Sequence, residues 1–289
     1  MQDNLPRGAL HALYAAGGFA ITGACIKAAA ATTPNEVVVF VRCAVSLLAL
    51  LPWILARGAR NVLTTRRPGG HLWRAAFGVC AMYCFFYAIA HLHLAEAMLL
   101  TYSTPLWVPF IAWLWIREKP PLIVFPAVLL GLAGIALIVK PGAAEIPWLA
   151  GLVGLASGMF AACAMVSIRR ISDTEPALRI VFYFALLATL ISAVPLLWAW
   201  ATPTPLAWAQ LLGAGVFATY GQINLTKAYA FAPAARVGPF TYTAVIFSAL
   251  LAWLIWGETL DRWSALGCGL VILTCVLVGW RRREPQLEE

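Results

Sequence analysis

Long apolar runs, separated by short polar links, occupy almost the whole chain. A helix that spans a bilayer needs about 20 mostly apolar residues. Ten windows meet that requirement: 8–30, 36–55, 72–90, 94–116, 121–139, 147–168, 179–200, 205–229, 233–256 and 263–280. The longest link, from Ala56 to His71, has no room for a soluble catalytic domain. The pattern predicts an all-α membrane protein of ten transmembrane helices, with the lipid bilayer as its first partner. Composition agrees. Of 289 residues, 62% are hydrophobic and 11% charged, and mean hydropathy is +0.84. A soluble domain would carry more charge on its surface.

A net charge of +8 would suit nucleic acid if it formed one patch. The positions argue against that partner. With the N-terminus placed in the cytoplasm, sixteen of the 20 lysines and arginines fall on the cytoplasmic side. Arg57, Arg60, Arg66, Arg67 and Arg74 are among them, as are Arg281, Arg282 and Arg283. Lys27, Lys140 and Arg262 fall outside, and Arg42 lies within the second span. This is the positive-inside bias, so both termini are expected in the cytoplasm. The first span has no cleavage site and no basic leader, so no cleavable signal peptide is expected. All seven cysteines lie in apolar segments without a CxxC, which makes them packing residues. No cofactor is implied.

A shift of about 140 residues brings the chain onto itself. Thr101-Tyr102 meets Thr241-Tyr242, Ala112-Trp113-Leu114 meets Ala252-Trp253-Leu254, and Glu118 meets Glu258. Ala16 and Gly18 meet Ala156 and Gly158. With a small gap, Gly78-Val79-x-Ala81-x-Tyr83 meets Gly215-Val216-x-Ala218-x-Tyr220, and Leu130-Gly131 meets Leu266-Gly267. The expected organisation is two five-helix units, 1–140 and 141–289. Five is odd, so the second unit enters the membrane from the opposite side. A 5+5 inverted-topology repeat around a central cavity is a plan of many secondary transporters.

Phe86-Tyr87-Ala88-Ile89-Ala90, Leu94-Ala95-Glu96-Ala97 and Thr101-Tyr102-Ser103-Thr104-Pro105-Leu106 resemble the third-to-fourth-helix signature of the EamA-type drug/metabolite transporters. Trp113 to Glu118, repeated as Trp253 to Glu258, is similar to that family's helix-ending acidic position; Glu36 and Arg42 also fit. The resemblance covers the chain and is specific for the superfamily, not for a substrate. It implies a ten-helix 5+5 fold with a cavity lined mainly by helices 1, 3, 4, 6, 8 and 9. Relatives carry amino acids and derivatives, riboflavin, S-adenosylmethionine, choline, nucleotide sugars and opine-type metallophores.

Polar groups inside spans are costly and by default face a cavity or a partner. Tyr220, Asn224 and Lys227 form one stripe at i, i+4 and i+7 on the eighth span. The stripe lines a substrate path or bonds between helices, with Lys227 snorkelling. Tyr83 and Tyr87 make the matching stripe on the third span, and their amphipathic rings suit planar organic cargo. The tryptophans, Trp113, Trp115, Trp253 and Trp256 included, read as an interfacial belt. Glu96, near the outer end of the fourth span, is the candidate to carry a coupling proton; the plain alternative is a carboxylate paired with water or His93. His91 and His93 straddle a tight turn and lack further ligands, so no metal site is expected.

Arg42 reads as structural, and Lys27 and Arg236 as vestibule or snorkelling charges. Pro105 and Pro109 interrupt the fourth span, and Gly238-Pro239 the ninth. Each break carries hydroxyls: Thr101, Tyr102, Ser103 and Thr104 before Pro105, and Thr241, Tyr242 and Thr243 after Pro239. Paired breaks in corresponding positions are the best pointer to a site, although hydroxyls also bond to their own helix backbone. Gly151, Gly154 and Gly158 give the sixth span a small face for close packing.

The expected protein is an inner-membrane secondary carrier of a small organic metabolite, an amino acid or derivative first, with export ahead of uptake. Tyr83, Tyr87, Thr101, Tyr102, Tyr220, Asn224 and Tyr242 would bind cargo; Glu96, Pro105 and Arg236 would couple or gate. So few fixed charges lean toward neutral or zwitterionic cargo. The alternatives are a vitamin or nucleoside uptake carrier, a metallophore exporter and a non-transporting scaffold, as monomer or homodimer. An enzyme is not expected: no GxSxG, HExxH or P-loop occurs.

Overall fold

Helix α1 (Leu5–Ala30) starts where the Asn4 Oδ1 accepts the Arg7 amide at 3.1 Å and Pro6 presets the first turn. Its 26 residues reach about 39 Å, enough to cross the hydrocarbon core. The computed structural model describes residues 4–58, 63–91, 100–139, 148–257 and 262–280, and these hold helices and no strand. After α1 come α2 (Asn35–Ala49), α3 (Leu51–Arg57), α4 (Pro68–His91), α5 (Thr104–Ile116), α6 (Val124–Val139) and α7 (Trp148–Ile171). The rest are α8 (Ala177–Ala193), α9 (Leu196–Ala199), α10 (Pro205–Phe231), α11 (Ala234–Val237), a 3-10 segment (Gly238–Tyr242), α12 (Thr243–Trp256) and α13 (Arg262–Trp280). Helix α10 repeats the α1 start: the Thr204 hydroxyl accepts the Ala207 amide at 3.2 Å and Pro205 follows.

The described helices lie over the predicted apolar windows with ends displaced by a few residues, except in the fourth, where the helix begins only at Thr104 and 94–99 lie outside the described residues. Four described helical stretches are long and apolar enough to cross a membrane: Leu5–Ala30, Asn35–Ala56, Trp148–Ile171 and Ala234–Ile255. Large apolar side chains also face outward, Leu114 at 82% exposure among them. Such a surface suits lipid and not water, and the chain is an integral membrane protein.

A few helix pairs carry most of the packing. Helix α1 packs along α10, and α4 along α7. Helix α1 also packs on α12, and α7 on α5; α2 packs on α10, and α8 on α4. Helix α2 also packs on α8, and α6 on α13. Glycines set the crossings, because close backbone approach is the main source of helix association in lipid. A Cβ on Gly18 would lie 3.2 Å from the Gly221 Cα, and one on Gly134 would lie 2.8 Å from the Gly267 carbonyl oxygen. Gly154 receives Leu100 and Ala88, and Gly158 receives Ser103, as the predicted small face of the sixth span requires.

A buried carboxylate fastens one end of the bundle. Glu175, in the link between α7 and α8, accepts the Thr65 hydroxyl at 2.8 Å and the Arg66 amide at 2.9 Å on Oε1. Its Oε2 takes Arg179 at 2.8 Å, and the His71 Nε2 lies 3.6 Å away, with the His71 ring against Tyr183. Burial alone would raise the Glu175 pKa; the hydrogen bonds from Arg179, Thr65 and Arg66 outweigh it and hold the carboxyl at about 2. An unfolded glutamate takes its proton near 4.5. The cluster's stabilisation is therefore full above pH 4.5 and fades as pH falls toward 2. The melting temperature of the detergent-solubilised protein should fall on acidification through pH 4.5. Glu175→Gln should melt lower at neutral pH and lose that added slope, and equal slopes would remove the cluster from the explanation.

Candidate functional site

Two predicted breaks touch at the centre of the fold. A Cβ on Gly238 would sit 3.5 Å from the Pro105 Cβ, so the starts of α5 and of the 3-10 segment are in van der Waals contact. Both Pro105 and Gly238 are buried. Most hydroxyls around the breaks serve their own backbones. Thr104 donates to the Thr101 carbonyl at 2.7 Å, Ser103 to that of Leu100, Thr241 to that of Gly238 at 2.7 Å and Thr243 to that of Phe240 at 2.7 Å. The self-satisfying alternative therefore holds at those four positions. Thr101 reaches further. Ser157 donates to the Gly154 carbonyl at 2.6 Å, so its oxygen accepts from the Thr101 hydroxyl at 2.7 Å and ties the break to α7.

The two tyrosines of the breaks turn away from the junction. Tyr242 is fully buried, with its hydroxyl 3.4 Å from the Val128 carbonyl and its ring filling the space left by Gly131. Tyr102 packs on the same cluster with Ile135, Val271 and Ile246. Both rings wedge the α6–α13 pair, which differs from the cargo-facing position expected of them. Pro105 holds the junction itself, and Arg236 is half-buried on the single turn α11. Glu96 lies outside the described residues, as do His93 and Glu258.

Along the α1–α10 seam the picture is different. Tyr220 is 47% exposed, with its ring against Gly18. One turn on, Asn224 is only 7% exposed. Its Nδ2 donates to the Tyr220 carbonyl at 2.9 Å, so its Oδ1 accepts from the His11 Nδ1–H at 2.8 Å. That bond fixes the His11 tautomer and leaves its Nε2 without a partner among the described residues. The imidazole stacks on Phe231 at 5.5 Å and meets Tyr14 edge-on. The sequence signal for His11 was a single imidazole in an apolar span, too little to single it out before Asn224 was seen beside it.

On α4, Tyr83 is 36% exposed and Tyr87 half-buried. Tyr83 and Tyr220 make no ring contact with each other. Deeper in α4, Phe77 stacks on Trp73 at 5.5 Å and on Phe160 at 6.3 Å, and meets Trp115 edge-on at 5.7 Å. Trp115 also carries the Arg170 guanidinium at 5.3 Å. It is thus part of an aromatic wall between α4, α5 and α7, not only an interfacial anchor. Trp113 and Trp253 are exposed as a belt requires. Arg74 departs most from expectation. The sequence places it in water at the helix end; the structure buries it with Gln222 at 3.1 Å.

A lock closes the end of the bundle below this seam. Arg117 has φ +56°, a left-handed turn that directs Glu118 back over the ends of α7 and α10. Glu118 Oε1 accepts the Arg169 Nε at 2.7 Å, and Oε2 accepts the Ala234 amide at 3.1 Å. Arg169 also donates to the Ala230 carbonyl at 3.2 Å. From α1, the Asn4 amide donates to the Phe231 carbonyl at 2.7 Å. The turn from Ala230 to Ala234 is thus held from three sides.

The His11–Asn224 pair makes a double-mutant prediction. Asn224→Ala leaves the half-buried imidazole N–H without its protein partner and should cost about 1 kcal/mol. In a His11→Phe background the same change should cost clearly less, read from thermal melting of the four proteins. Additive losses would show that the two side chains do not act as a unit.

The model of the EamA-like transporter family matches residues 6–140 and again residues 148–280. The pseudopaline exporter CntI of Pseudomonas aeruginosa is 36% identical over 276 residues, covering 95% of this chain and 96% of that protein. A riboflavin transporter of Vibrio cholerae is 28% identical over 98% of this chain and 96% of its own length. An S-adenosylmethionine uptake transporter of Rickettsia bellii is 25% identical over 81% of this chain and 80% of its own. A crystal structure that covers 98% of this chain and 100% of its own superimposes with a TM-score of 0.85 at 18% identity, which speaks for the fold. With two matches that together span nearly its whole length, the chain belongs to the EamA-like transporter family.

Proposed function

We propose that this protein is a secondary active transporter that moves a small organic metabolite across the bacterial inner membrane by alternating access. The observation that carries the reading is the contact of Pro105 with Gly238, at the exchanging seams of the bundle. Ten spans in two inverted five-helix units, 1–140 and 141–289, would produce such a meeting of equivalent breaks, and the twofold family match supports that division. Two similar halves of opposite orientation interconvert by exchanging conformations, and the site opens to each side in turn.

Tyr83, Tyr87 and Tyr220 form the cargo surface, with Asn224 and His11 behind it. Thr101, Tyr102, Pro105 and Tyr242 act as the stiff hinge on which α5 and α12 turn. Glu118 and Arg169 form the cytoplasmic closure, both termini lying on that side. A partly exposed ion pair is worth about 0–1 kcal/mol, weak enough to break in each cycle. Glu96 remains the candidate for the coupling proton, and the unpartnered His11 Nε2 is a second. Arg236, at the closure, gates. The 36% identical exporter favours outward movement and makes a pseudopaline-like cargo the first to test. Vitamin or S-adenosylmethionine uptake has support only from less similar relatives.

The test is a melting-temperature screen of the purified protein against metabolite classes, followed by flux into proteoliposomes. A stabilising class that also drives counterflow is the expected result. No stabilisation and no flux for any class would favour a scaffold. Tyr220→Phe should reduce flux several-fold while its melting temperature stays near wild type. Unchanged flux in both Tyr220→Phe and Tyr83→Phe would remove the aromatic surface from the site.

A further inference from the structure

Arg74 lies two turns into α4, on an apolar helix, and is 2% exposed. A side chain there leans toward the helix start and would ordinarily snorkel to water at that end. This one bends the opposite way. Its Nη1 occupies the space beside Gly78, one turn deeper, where any Cβ would collide with it. The guanidinium rests 4.1 Å over the Phe184 ring, and Nη2 donates to Gln222 at 3.1 Å. Nε and Nη1 are buried with no hydrogen-bond partner.

Arg42 of α2 reaches the same place. It lines a narrow cleft with Ser46, Phe184, Thr219 and Gln222, the last two on α10. Its Nη1 finds only sulfur, Met82 Sδ at 3.4 Å and Cys43 Sγ at 4.0 Å. Ser46 and Thr219 both donate to the Gly215 carbonyl, so the hydroxyls of the cleft are already engaged. Gly215 is the repeat counterpart of Gly78, and it lets α2 approach until a Cβ there would lie 3.2 Å from the Arg42 carbonyl. Among the described residues no carboxylate pairs with either arginine. Two like charges near one another, one of them fully enclosed, are expensive in this setting.

We propose that Arg42 and Arg74 form an anion site that receives a carboxylate of the transported compound. This rests on the transporter reading above. A guanidinium offers paired N–H groups that match a planar carboxylate; Arg42 lines the cleft, and the unpaired Arg74 N–H groups lie enclosed behind its Phe184 and Gln222 wall. Phe184 and Gln222 hold the Arg74 head in place. The cargo class that follows is an organic anion or a zwitterion with an extra carboxylate, not a neutral solute.

The test uses the full-length protein in lipid nanodiscs, with glutarate, its neutral diamide and inorganic sulfate as probes at matched ionic strength. Glutarate should raise the melting temperature by several degrees, and the diamide should not. Arg74→Gln should lose the glutarate shift, yet melt at or above the unliganded wild type, because a buried unpaired charge has gone. Arg42→Gln should weaken half-saturation about tenfold or more. A lower-melting Arg74→Gln that keeps the glutarate shift would make Arg74 a structural residue and overturn the proposal. An equal response to sulfate and glutarate would mean an inorganic anion site and would overturn it too, as would no response to glutarate. Counterflow in proteoliposomes separates the readings. Flux of a neutral metabolite without carboxylate binding leaves the transporter and removes the anion site; carboxylate binding without flux of any solute does the reverse.

Discussion

In hydrocarbon, a helix cannot stop without finding partners for the backbone groups it releases. That constraint organises the centre of this protein. The chain leaves the α-helical path just before α5 and again over Gly238–Tyr242. At each place threonine and serine hydroxyls turn back onto carbonyls three residues earlier. The breaks thereby carry their own hydrogen bonds, and proline and glycine can meet at the crossing without exposing backbone to lipid. The remaining hydroxyl, Thr101, is free to fasten the break to Ser157 and so to a neighbouring helix.

Glycine does the second part of the work. It allows α1 onto α10, α6 onto α13, and the 100–103 segment onto α7. Lipid supplies no hydrophobic drive between helices, so shape and close approach decide which helices pair. Aromatic rings then fill what glycine opens: Tyr220 over Gly18, Phe19 over Gly221, Tyr242 over Gly131. The Phe19 ring makes this contact with apolar atoms alone, whereas Tyr242 also brings its hydroxyl to the Val128 carbonyl.

The helices were legible in the sequence because apolar length is a strong signal in a membrane protein. Their ends were set by Asn4, Thr204 and the prolines beside them, all local. The breaks were legible for the same reason. The direction of a side chain was not. Tyr102 and Tyr242 carry the same hydroxyl as Tyr83 and Tyr220, yet they point into the α6–α13 wedge, and only the neighbouring helix decides that. Arg74 stands near the start of an apolar span, just past a basic link, and nothing nearby in sequence distinguishes a snorkelling arginine from one drawn inward by a glycine one turn away. His11 needed Asn224, more than two hundred residues on, to acquire meaning. Glu118 was legible as a helix-ending acid, but its partner Arg169 lies in the other half of the chain.

The turn after α10 joins the lock to the seam. Phe231, the last residue of α10, carries the His11 ring on its side chain and the Asn4 amide on its carbonyl. Ala230 and Ala234, on either side, are the backbone contacts of Arg169 and Glu118. Displacement of the imidazole from Phe231 therefore acts on a peptide segment that the ion pair grips at both ends. Equilibrium linkage makes such an influence mutual. In the proposed transporter, whatever factor cargo at Tyr220 imposed on the strength of the Glu118–Arg169 pair, the pair would impose the same factor on the affinity for cargo. A carrier wired in this way would release its load because its door had opened, and open its door because the load had arrived.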